Sequence, residues 1–202
     1  MKTISCITPR LPRQWRSAAG LFEREQRPAW PIGPKSAEHR KVNFCDKLVP
    51  WDRLPQWRAA LRASGKRLVV TNGCFDLMHF GHVTYLEAAR NQGGALLVGV
   101  NGDEAVRQLK GESRPINHQI DRAAVLAALE SVDGVCIFSE KTATRFLTFA
   151  QPDIYVKGGD YTLDTLNPDE RQSIEECEGR IVILPFVPGK STTSLIEKIS
   201  KL

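Results

Sequence analysis

Two histidines, His79 and His82, stand three positions apart where a predicted helix follows a short apolar segment. Free N–H groups and the positive end of the helix dipole make such a helix start an anion site. An imidazole N–H beside it can donate to the charge that develops on a phosphoryl group, a contact that contributes about 3 kcal/mol to the transition state. The pattern indicates phosphoryl chemistry, and it leaves helix capping and metal ligation by the two imidazoles open.

The loop that carries these histidines spans Gly73–His82 and reads Gly-Cys-Phe-Asp-Leu-Met-His-Phe-Gly-His. We expect Gly73 to permit a tight turn and Gly81 to let a ligand approach the backbone. The helix is predicted to begin near His82.

Other candidates for phosphate contacts lie further along the chain. Lys110, beside Gly111, can reach a phosphate from the end of a helix, or it can simply complement the helix dipole. Arg114 and Arg122 each carry a planar fork that can clamp a phosphate, or each is a solvated surface charge. Asp103 either contacts a ligand or caps its helix.

Two later loops combine small residues with hydroxyl or carboxylate groups. Lys157-Gly-Gly-Asp160 follows a strand, so its glycines can let the backbone meet a base or ribose and Asp160 can accept from a hydroxyl. A plain glycine turn is the alternative. Ser191–Ser194 precedes the last predicted helix, where its hydroxyl and N–H groups hold phosphates, cap the helix, or do both.

The loop Gly73–His82 resembles the first signature of the nucleotidyltransferases with the His-x-Gly-His motif. Four further stretches narrow the resemblance, namely residues 101–117, 121–133, 152–161 and 189–194. Together they are similar to the D-glycero-D-manno-heptose 1-phosphate adenylyltransferases, which have ADP-heptose synthase activity, over roughly residues 45–202. One departure concerns residues 186–190, which lack the Arg that much of the superfamily carries there, so a phosphate contact from Lys190 stays open.

The resemblance implies a reaction and a set of site residues. ATP would be the substrate, with Mg²⁺ accompanying it, and AMP would pass to a sugar 1-phosphate with release of pyrophosphate. The residues implied as catalytic are His79, His82 and Lys110. Those implied to bind the nucleotide are Thr71, Asn72, Gly73, Cys74, Phe75, Gly81, Lys157, Gly158, Asp160, Ser191, Thr192, Thr193 and Ser194. Those implied to bind the substrate phosphate are Asp103, Arg114 and Arg122, and no protein ligands for a metal are implied.

Two other functions remain open from the sequence. A related transferase would use CTP with glycerol 3-phosphate or phosphoethanolamine, but the Lys-Gly-x-x-Arg-Pro-Ile-Asn and Val-Lys-Gly-Gly-Asp stretches favour the heptose branch. A regulator that keeps the nucleotide fold and binds DNA would need a helix-turn-helix or an ordered basic face, and residues 1–45 offer neither.

Short apolar segments alternate with amphipathic ones from residue 48 onward, a pattern that predicts a single doubly wound, Rossmann-like α/β domain. Its parallel sheet has about five strands, predicted at residues 67–71, 95–100, 134–138, 154–156 and 180–184. The predicted helices are residues 54–63, 83–90, 103–109, 121–129, 143–149, 168–176 and 194–201. Ligands of such sheets bind at the carboxyl ends of the strands, which places the candidate loops at one edge.

The charge of the chain is unevenly distributed. Residues 1–45 carry nine Lys/Arg against three Asp/Glu and five prolines, whereas residues 46–202 are close to neutral. We therefore expect residues 1–45 to be a disordered extension or the product of a misplaced start site, and residues 46–202 to be the nucleotidyltransferase domain. The near-neutral body argues against nucleic-acid binding by the whole protein.

The remaining expectations concern setting and partners. No apolar run approaches the roughly 20 residues that span a bilayer, and the five scattered cysteines fit a reducing cytoplasm. We expect no membrane or nucleic-acid partner and a homo-oligomeric state of two or more chains. The resemblance implies a sugar phosphate substrate. The heptose family often fuses this domain to a sugar kinase, and 202 residues leave no room for one, so we expect the kinase and the phosphatase of the pathway to be separate proteins.

Overall fold

The computed structural model describes residues 43–159, 161–162, 164–185 and 192–201. The chain divides into two units, Met1–Val42 and Asn43–Leu202, and all described residues lie in the second. The expectations for residues 1–42, Asp160 and Ser191 therefore fall outside the described residues. No helix in the described part of the chain has the length and apolar character that crossing a membrane requires.

Strands and helices alternate along this second unit. The strands are β1 (Leu68–Gly73), β2 (Ala95–Asn101), β3 (Gly134–Phe138), β4 (Ile154–Gly158) and β5 (Arg180–Leu184). The helices are α1 (Leu54–Ala63), α2 (Phe80–Arg90), α3 (Asp103–Lys110), α4 (Gln119–Ala127), α5 (Thr144–Ala150), α6 (Pro168–Glu176) and α7 (Thr192–Ile199). All strand pairings are parallel, and the order across the sheet is β3-β2-β1-β4-β5.

Helices cover both faces of the sheet, which is why the strands are apolar along most of their length. Every residue of β2 is buried. Alternate strand residues enter two apolar clusters: Val70 packs with side chains of α1, α5 and α6, whereas Val69 packs with side chains of α2 and α4. The core therefore lies in two layers with the sheet between them.

The predicted doubly wound α/β domain is confirmed by this topology. Helices α1 and α6 and strands β3 and β5 have the predicted bounds. Helix α2 starts earlier than predicted, at Phe80, because His79 takes an extended backbone as its N-cap and its carbonyl already accepts from the N–H of His82 at 2.9 Å.

Strand β1 is the point where the strand order reverses. It pairs with β2 on one side and with β4 on the other. The connections that leave the carboxyl ends of β1 and β4 therefore pass to different parts of the sheet, and a crevice opens between them, as at other topological switch points. The predicted site residues of β1 and β4, Asn72 and Lys157 among them, lie at this edge.

Candidate active site

A cavity of about 590 Å³ lies at the carboxyl ends of β1 and β4. This volume is in the range of small-molecule and cofactor sites. The lining residues from β1, its loop and α2 are Asn72, Gly73, Cys74, Phe75, Asp76, His79, Gly81, His82 and Tyr85. The lining residues from the rest of the chain are Asn101, Leu109, Lys110, Arg114, Lys141, Thr142, Lys157, Gly158, Tyr161, Glu170, Thr192 and Thr193.

The chain turns into the β1–α2 loop at Phe75, not at Gly73. Phe75 has a φ of 47°, in the left-handed region that side chains rarely adopt, so the turn predicted at Gly73 is wrong in position. Gly73 is needed for room instead, because a Cβ there would lie 3.1 Å from the ring of Phe75. Strain at a non-glycine residue often marks a functional loop, and here it sets the Phe75 ring against His82, with centroids 5.4 Å apart.

The two histidines meet as a stacked pair at the start of α2. The rings of His79 and His82 have centroids 3.9 Å apart and an interplanar angle of 24°. Burial, and to a lesser extent the neighbouring His79, lower the pKa of His82 to about 4, against the opposing effect of a hydrogen bond to the backbone of Leu77. Nδ1 of His82 is buried and has no hydrogen-bond partner among the described residues. A neutral imidazole therefore lines the cavity near pH 7.

Asp76 holds the segment that carries Arg114. Its carboxylate accepts from the backbone N–H groups of Ile116 and Asn117 at 2.8–2.9 Å and from Nε of Arg114 at 2.6 Å. Burial acts to raise the pKa of Asp76, but these donors outweigh it and the pKa lies below its usual value. The Asp76 side chain is 1% exposed, and both Asp76 and Arg114 line the cavity. Their ion pair therefore joins the β1 loop and this segment into one wall of the cavity.

Arg122 lies beneath the cavity and does not line it. Its side chain is fully buried and donates to the carbonyls of Cys74, Asn101 and Asn117. It also pairs with Oδ1 of Asp103 at 2.8 Å, while Oδ2 of Asp103 lies 3.1 Å from Nε2 of His118. The structure therefore does not bring Arg122 or Asp103 to the cavity as phosphate contacts, since their polar atoms tie the β1 and β2 loops together.

Four polar side chains form a connected group on the α6 side, and we call them the polar floor: Asn72, Lys157 and Glu170, which line the cavity, and Tyr155, which is fully buried and contacts Asn72 and Glu170. Nζ of Lys157 lies 3.0 Å from Oδ1 of Asn72 and 3.4 Å from Oε2 of Glu170. The Tyr155 hydroxyl lies 2.7 Å from Oδ1 of Asn72 and 2.8 Å from Oε2 of Glu170. Burial lowers the pKa of Lys157, against an opposing effect from Glu170, and burial raises the pKa of Tyr155.

A second polar contact holds the two central strands and α2 in register. Oγ1 of Thr71 lies 2.7 Å from the hydroxyl of Tyr85, which also donates to the carbonyl of Val156 at 3.1 Å. Thr71 is fully buried and supports the site from below, although the resemblance implied a direct nucleotide contact.

The implied residues at the start of α7 are divided. Ser194 lies outside the cavity lining, whereas Thr192 and Thr193 belong to it.

The cavity thus gathers most of the implied residues from distant parts of the chain. Those that line it are His79, His82, Lys110, Asn72, Gly73, Cys74, Phe75, Gly81, Lys157, Gly158, Thr192, Thr193 and Arg114. Lining residues that the sequence did not single out are Asp76, Tyr85, Asn101, Leu109, Lys141, Thr142, Tyr161 and Glu170. For Asp76 a signal existed, because it belongs to the Gly-Cys-Phe-Asp stretch itself.

Comparison with known proteins adds relatives of the same domain. Residues 70–197 match the family model described as cytidylyltransferase-like. The chain is 50% identical over 174 residues to the Bifunctional protein HldE of Geobacter sulfurreducens, which covers 86% of this chain and 35% of that protein. It is 45% identical over 172 residues to the Bifunctional protein HldE of Trichlorobacter lovleyi, which covers 85% and 34%. The chain therefore spans about a third of the length of these curated relatives.

A solved structure shows the same architecture. The lipopolysaccharide core biosynthesis protein from Thermoplasma volcanium matches with a TM-score of 0.51 and 27% identity, covering 61% of this chain and 98% of that one. The superfamily predicted from the His-x-Gly-His loop is confirmed by the family match, which contains every strand residue from Val70 onward. The chain belongs to the cytidylyltransferase-like family of nucleotidyltransferases.

Proposed function

We propose that the domain transfers AMP from ATP to D-glycero-D-manno-heptose 1-phosphate, giving ADP-heptose and pyrophosphate for lipopolysaccharide or capsule synthesis. The observation that carries the proposal is a stacked pair of imidazoles at the N-terminus of α2, of which His82 is neutral near pH 7, inside a cavity that Lys110, Arg114 and Lys141 also line. Such a cavity suits two phosphate-bearing substrates. The motif resemblance, the HldE relatives and the lipopolysaccharide neighbour support the heptose acceptor.

The reaction needs positioning and charge stabilisation more than a base. A phosphate oxygen of the acceptor attacks the α-phosphorus of ATP and forms the new P–O bond. The bond between the α-phosphorus and the bridging oxygen breaks, and that oxygen leaves with its electron pair on pyrophosphate. Because the attacking phosphate is already ionised, no general base has to remove a proton. The protein contributes alignment of the two substrates and donors for the charge on the phosphoryl oxygens.

The histidines supply those donors. With its pKa at about 4, His82 enters the complex neutral, so no cationic imidazole has to be buried before the nucleotide arrives. The negative phosphates then favour uptake of a proton by the pair, which adds an N–H donor where charge develops. Lys110, at the C-terminal end of α3, brings a further positive charge to the same cavity.

Mg²⁺ belongs to the proposal as a companion of the triphosphate. Among the described residues, no group of three or more His, Cys, Asp and Glu side chains is placed to hold a metal ion. Triphosphates commonly carry Mg²⁺ with most of its ligands from phosphate oxygens and water, so the residues present fit a metal that arrives with its nucleotide. When bound, it would neutralise phosphate charge, and the roles of His79, His82 and Lys110 stay as described.

The setting is also proposed. ATP and a sugar phosphate as substrates, together with cysteines that form no disulfide among the described residues, support a cytoplasmic enzyme. The HldE relatives carry the name bifunctional and are about three times as long as the matched domain, which supports a kinase as a partner activity in the pathway. A homo-oligomeric state and a separate phosphatase remain part of the proposal.

A substrate panel tests this function. Pyrophosphate release is measured with ATP and with CTP, each against heptose 1-phosphate, glycerol 3-phosphate and phosphoethanolamine. The proposal expects the highest kcat/KM for ATP with heptose 1-phosphate. A preference for CTP with glycerol 3-phosphate or phosphoethanolamine would replace it with the cytidylyltransferase alternative.

A further inference from the structure

The polar floor and the histidine pair lie on opposite sides of the sheet edge. Successive residues of a strand point to opposite faces. Thr71 contacts Tyr85 on α2, whereas the next residue, Asn72, contacts Tyr155 and Lys157. In β4, a Cβ on Gly158 would lie 3.0 Å from the Tyr85 ring, whereas Lys157 pairs with Glu170 of α6. One face of the cavity is therefore built by α2 and the other by α6.

The α2 face has the features of a phosphate site. It carries the N-terminus of α2 with His79 and His82, and the start of α7 joins it, because Oγ1 of Thr192 lies 3.5 Å from the carbonyl of Leu77. Helix starts, hydroxyl groups and imidazoles are donors suited to the triphosphate and to the leaving pyrophosphate. The α6 face consequently remains for the group that approaches from the other side.

The polar floor offers hydrogen-bond donors to the cavity, and the oxygens of Asn72 and Glu170 already accept from protein donors. Oδ1 of Asn72 receives Lys157, and the carboxylate of Glu170 receives the N–H of Ala143 at 2.9 Å together with Tyr155 and Lys157. Among the described residues none accepts from Nδ2 of Asn72, although Asn72 lines the cavity. Nζ of Lys157 has three N–H groups when protonated and two oxygen acceptors among the described residues, and it also lies 4.9 Å from the ring of Tyr161. The polar floor can therefore donate hydrogen bonds to the oxygen atoms of a ligand.

The charge of the polar floor separates hydroxyl oxygens from phosphate oxygens. Lys157 and Glu170 are each 6% exposed and pair with each other, so their opposite charges offset. A neutral, donor-rich surface suits the hydroxyl groups of a sugar ring. A phosphate group would meet the buried carboxylate of Glu170 without a surplus of positive charge to balance it.

We propose that the polar floor is the subsite for the sugar ring of the acceptor, with Asn72 and Lys157 donating to its hydroxyl oxygens and Glu170 and Tyr155 positioning them. This inference rests on the proposed function and deepens it. In-line displacement requires the acceptor and the leaving pyrophosphate to lie on opposite sides of the α-phosphorus, and the α6 and α2 faces provide binding surfaces on opposite sides of the cavity. The side chains of Asn72 and Lys157 thereby serve the acceptor rather than the nucleotide that the resemblance implied.

Equilibrium binding tests the subsite separately from turnover. Calorimetry measures the Kd of D-glycero-D-manno-heptose 1-phosphate and, in another titration, that of a non-hydrolysable ATP analogue. The variants are Lys157→Met, Glu170→Gln and the double variant, which removes both charges and leaves neither buried alone. The matched controls are Lys66→Met and Glu175→Gln, which make the same changes at exposed positions. Thermal unfolding of each variant verifies that it is folded.

The subsite predicts that Lys157→Met and the double variant weaken heptose 1-phosphate binding by about tenfold or more, the effect of losing one or two hydrogen bonds of ordinary strength. The ATP analogue should bind within about twofold of wild type by the same scale. Equal weakening of both ligands, weakening of the analogue alone, or no heptose 1-phosphate binding to wild type would overturn the subsite. Binding without turnover would instead count against the proposed reaction and leave the subsite supported.

Discussion

The imidazole rings of His79 and His82 stack face to face with centroids 3.9 Å apart. Two imidazolium ions at that separation would repel each other, and His79 is indeed one reason why the pKa of His82 lies near 4. Repulsion between the two rings therefore disfavours a second proton on the pair.

The first prediction concerns loss of one ring of this pair. His82→Ala removes a donor from the phosphate site, so we expect kcat to fall by about a hundredfold to a thousandfold, as for other donors to a transition-state charge. Steady-state pyrophosphate release measures it. Val83→Ala, an exposed position on the same helix, serves as the matched control and should be close to wild type. Activity of His82→Ala near that of the control would demote the histidine to a structural role.

The second prediction follows from the depressed pKa. Folded His82 titrates near pH 4 and the unfolded imidazole near 6.5, so the unfolded state binds more protons between these values. The free energy of unfolding is therefore expected to decrease as pH falls from 6.5 towards 4, and His82→Asn should lessen that decrease. Urea titrations across this window measure the difference. An equal decrease in both proteins would show that the ring titrates normally.

Bound phosphates should move the same pKa upward. Histidine NMR of the ligand-free protein is expected to show His82 neutral at pH 6, and saturation with a non-hydrolysable ATP analogue should shift its titration towards higher pH. The cause is attraction between the phosphate charge and imidazolium. An unshifted titration of His82 in the complex would show that this imidazole does not interact with the bound phosphates.

Arg122 gives a prediction that separates two roles. Because its guanidinium holds the carbonyls of Cys74 and Asn101 and the carboxylate of Asp103, Arg122→Met should cost about 3–5 kcal/mol of unfolding free energy, as when one partner of a buried ion pair is removed. Arg62→Met on the exposed side of α1 is the control. If Arg122→Met has normal stability and a raised KM for the sugar phosphate, Arg122 binds the substrate phosphate, as the resemblance implied.

The pair of Asp76 and Arg114 can be tested by a double-mutant cycle with Asp76→Asn and Arg114→Met. Their side chains are 1% and 16% exposed, so we expect a coupling energy of about 1–3 kcal/mol in urea denaturation. The exposed pair of Glu104 and Arg107 is the matched control and should couple more weakly, because solvent screens the two charges. Coupling of Asp76 and Arg114 no larger than that of the control would contradict the conclusion that this ion pair holds the β1 loop against the segment that carries Arg114.

Local pattern was enough to predict the sheet and the loop that carries the histidines. Apolar runs between turn residues fixed the positions of β3 and β5, and the spacing of His79, Gly81 and His82 was informative by itself. These features depend on neighbours in the chain, whose identity can be read directly. The start of α2 was missed by a few residues because capping depends on the backbone of His79, which residue types alone do not determine.

The residues that the sequence did not single out, or whose role it left open, depend on distant partners. Glu170 lies in an acidic helix beside exposed Asp169, and only the packing of α6 against β4 shows that it is the buried member. Arg122 could equally have faced a ligand, and its role follows from carbonyls at the ends of β1 and β2 that converge on it. An arginine can bind a ligand or support the fold, and only its tertiary contacts show which of these two roles it has.

Formation of the nucleotide sugar is the decisive test of adenylyl transfer to heptose 1-phosphate. The protein is incubated with ATP, Mg²⁺ and D-glycero-D-manno-heptose 1-phosphate, and mass spectrometry follows the nucleotide sugar while pyrophosphate is measured in parallel. We predict ADP-heptose and pyrophosphate in equal amounts, both dependent on the sugar phosphate and both nearly abolished in His82→Ala. Absence of ADP-heptose from folded wild-type protein, or efficient formation of a CDP-linked product with CTP and glycerol 3-phosphate, would contradict the account.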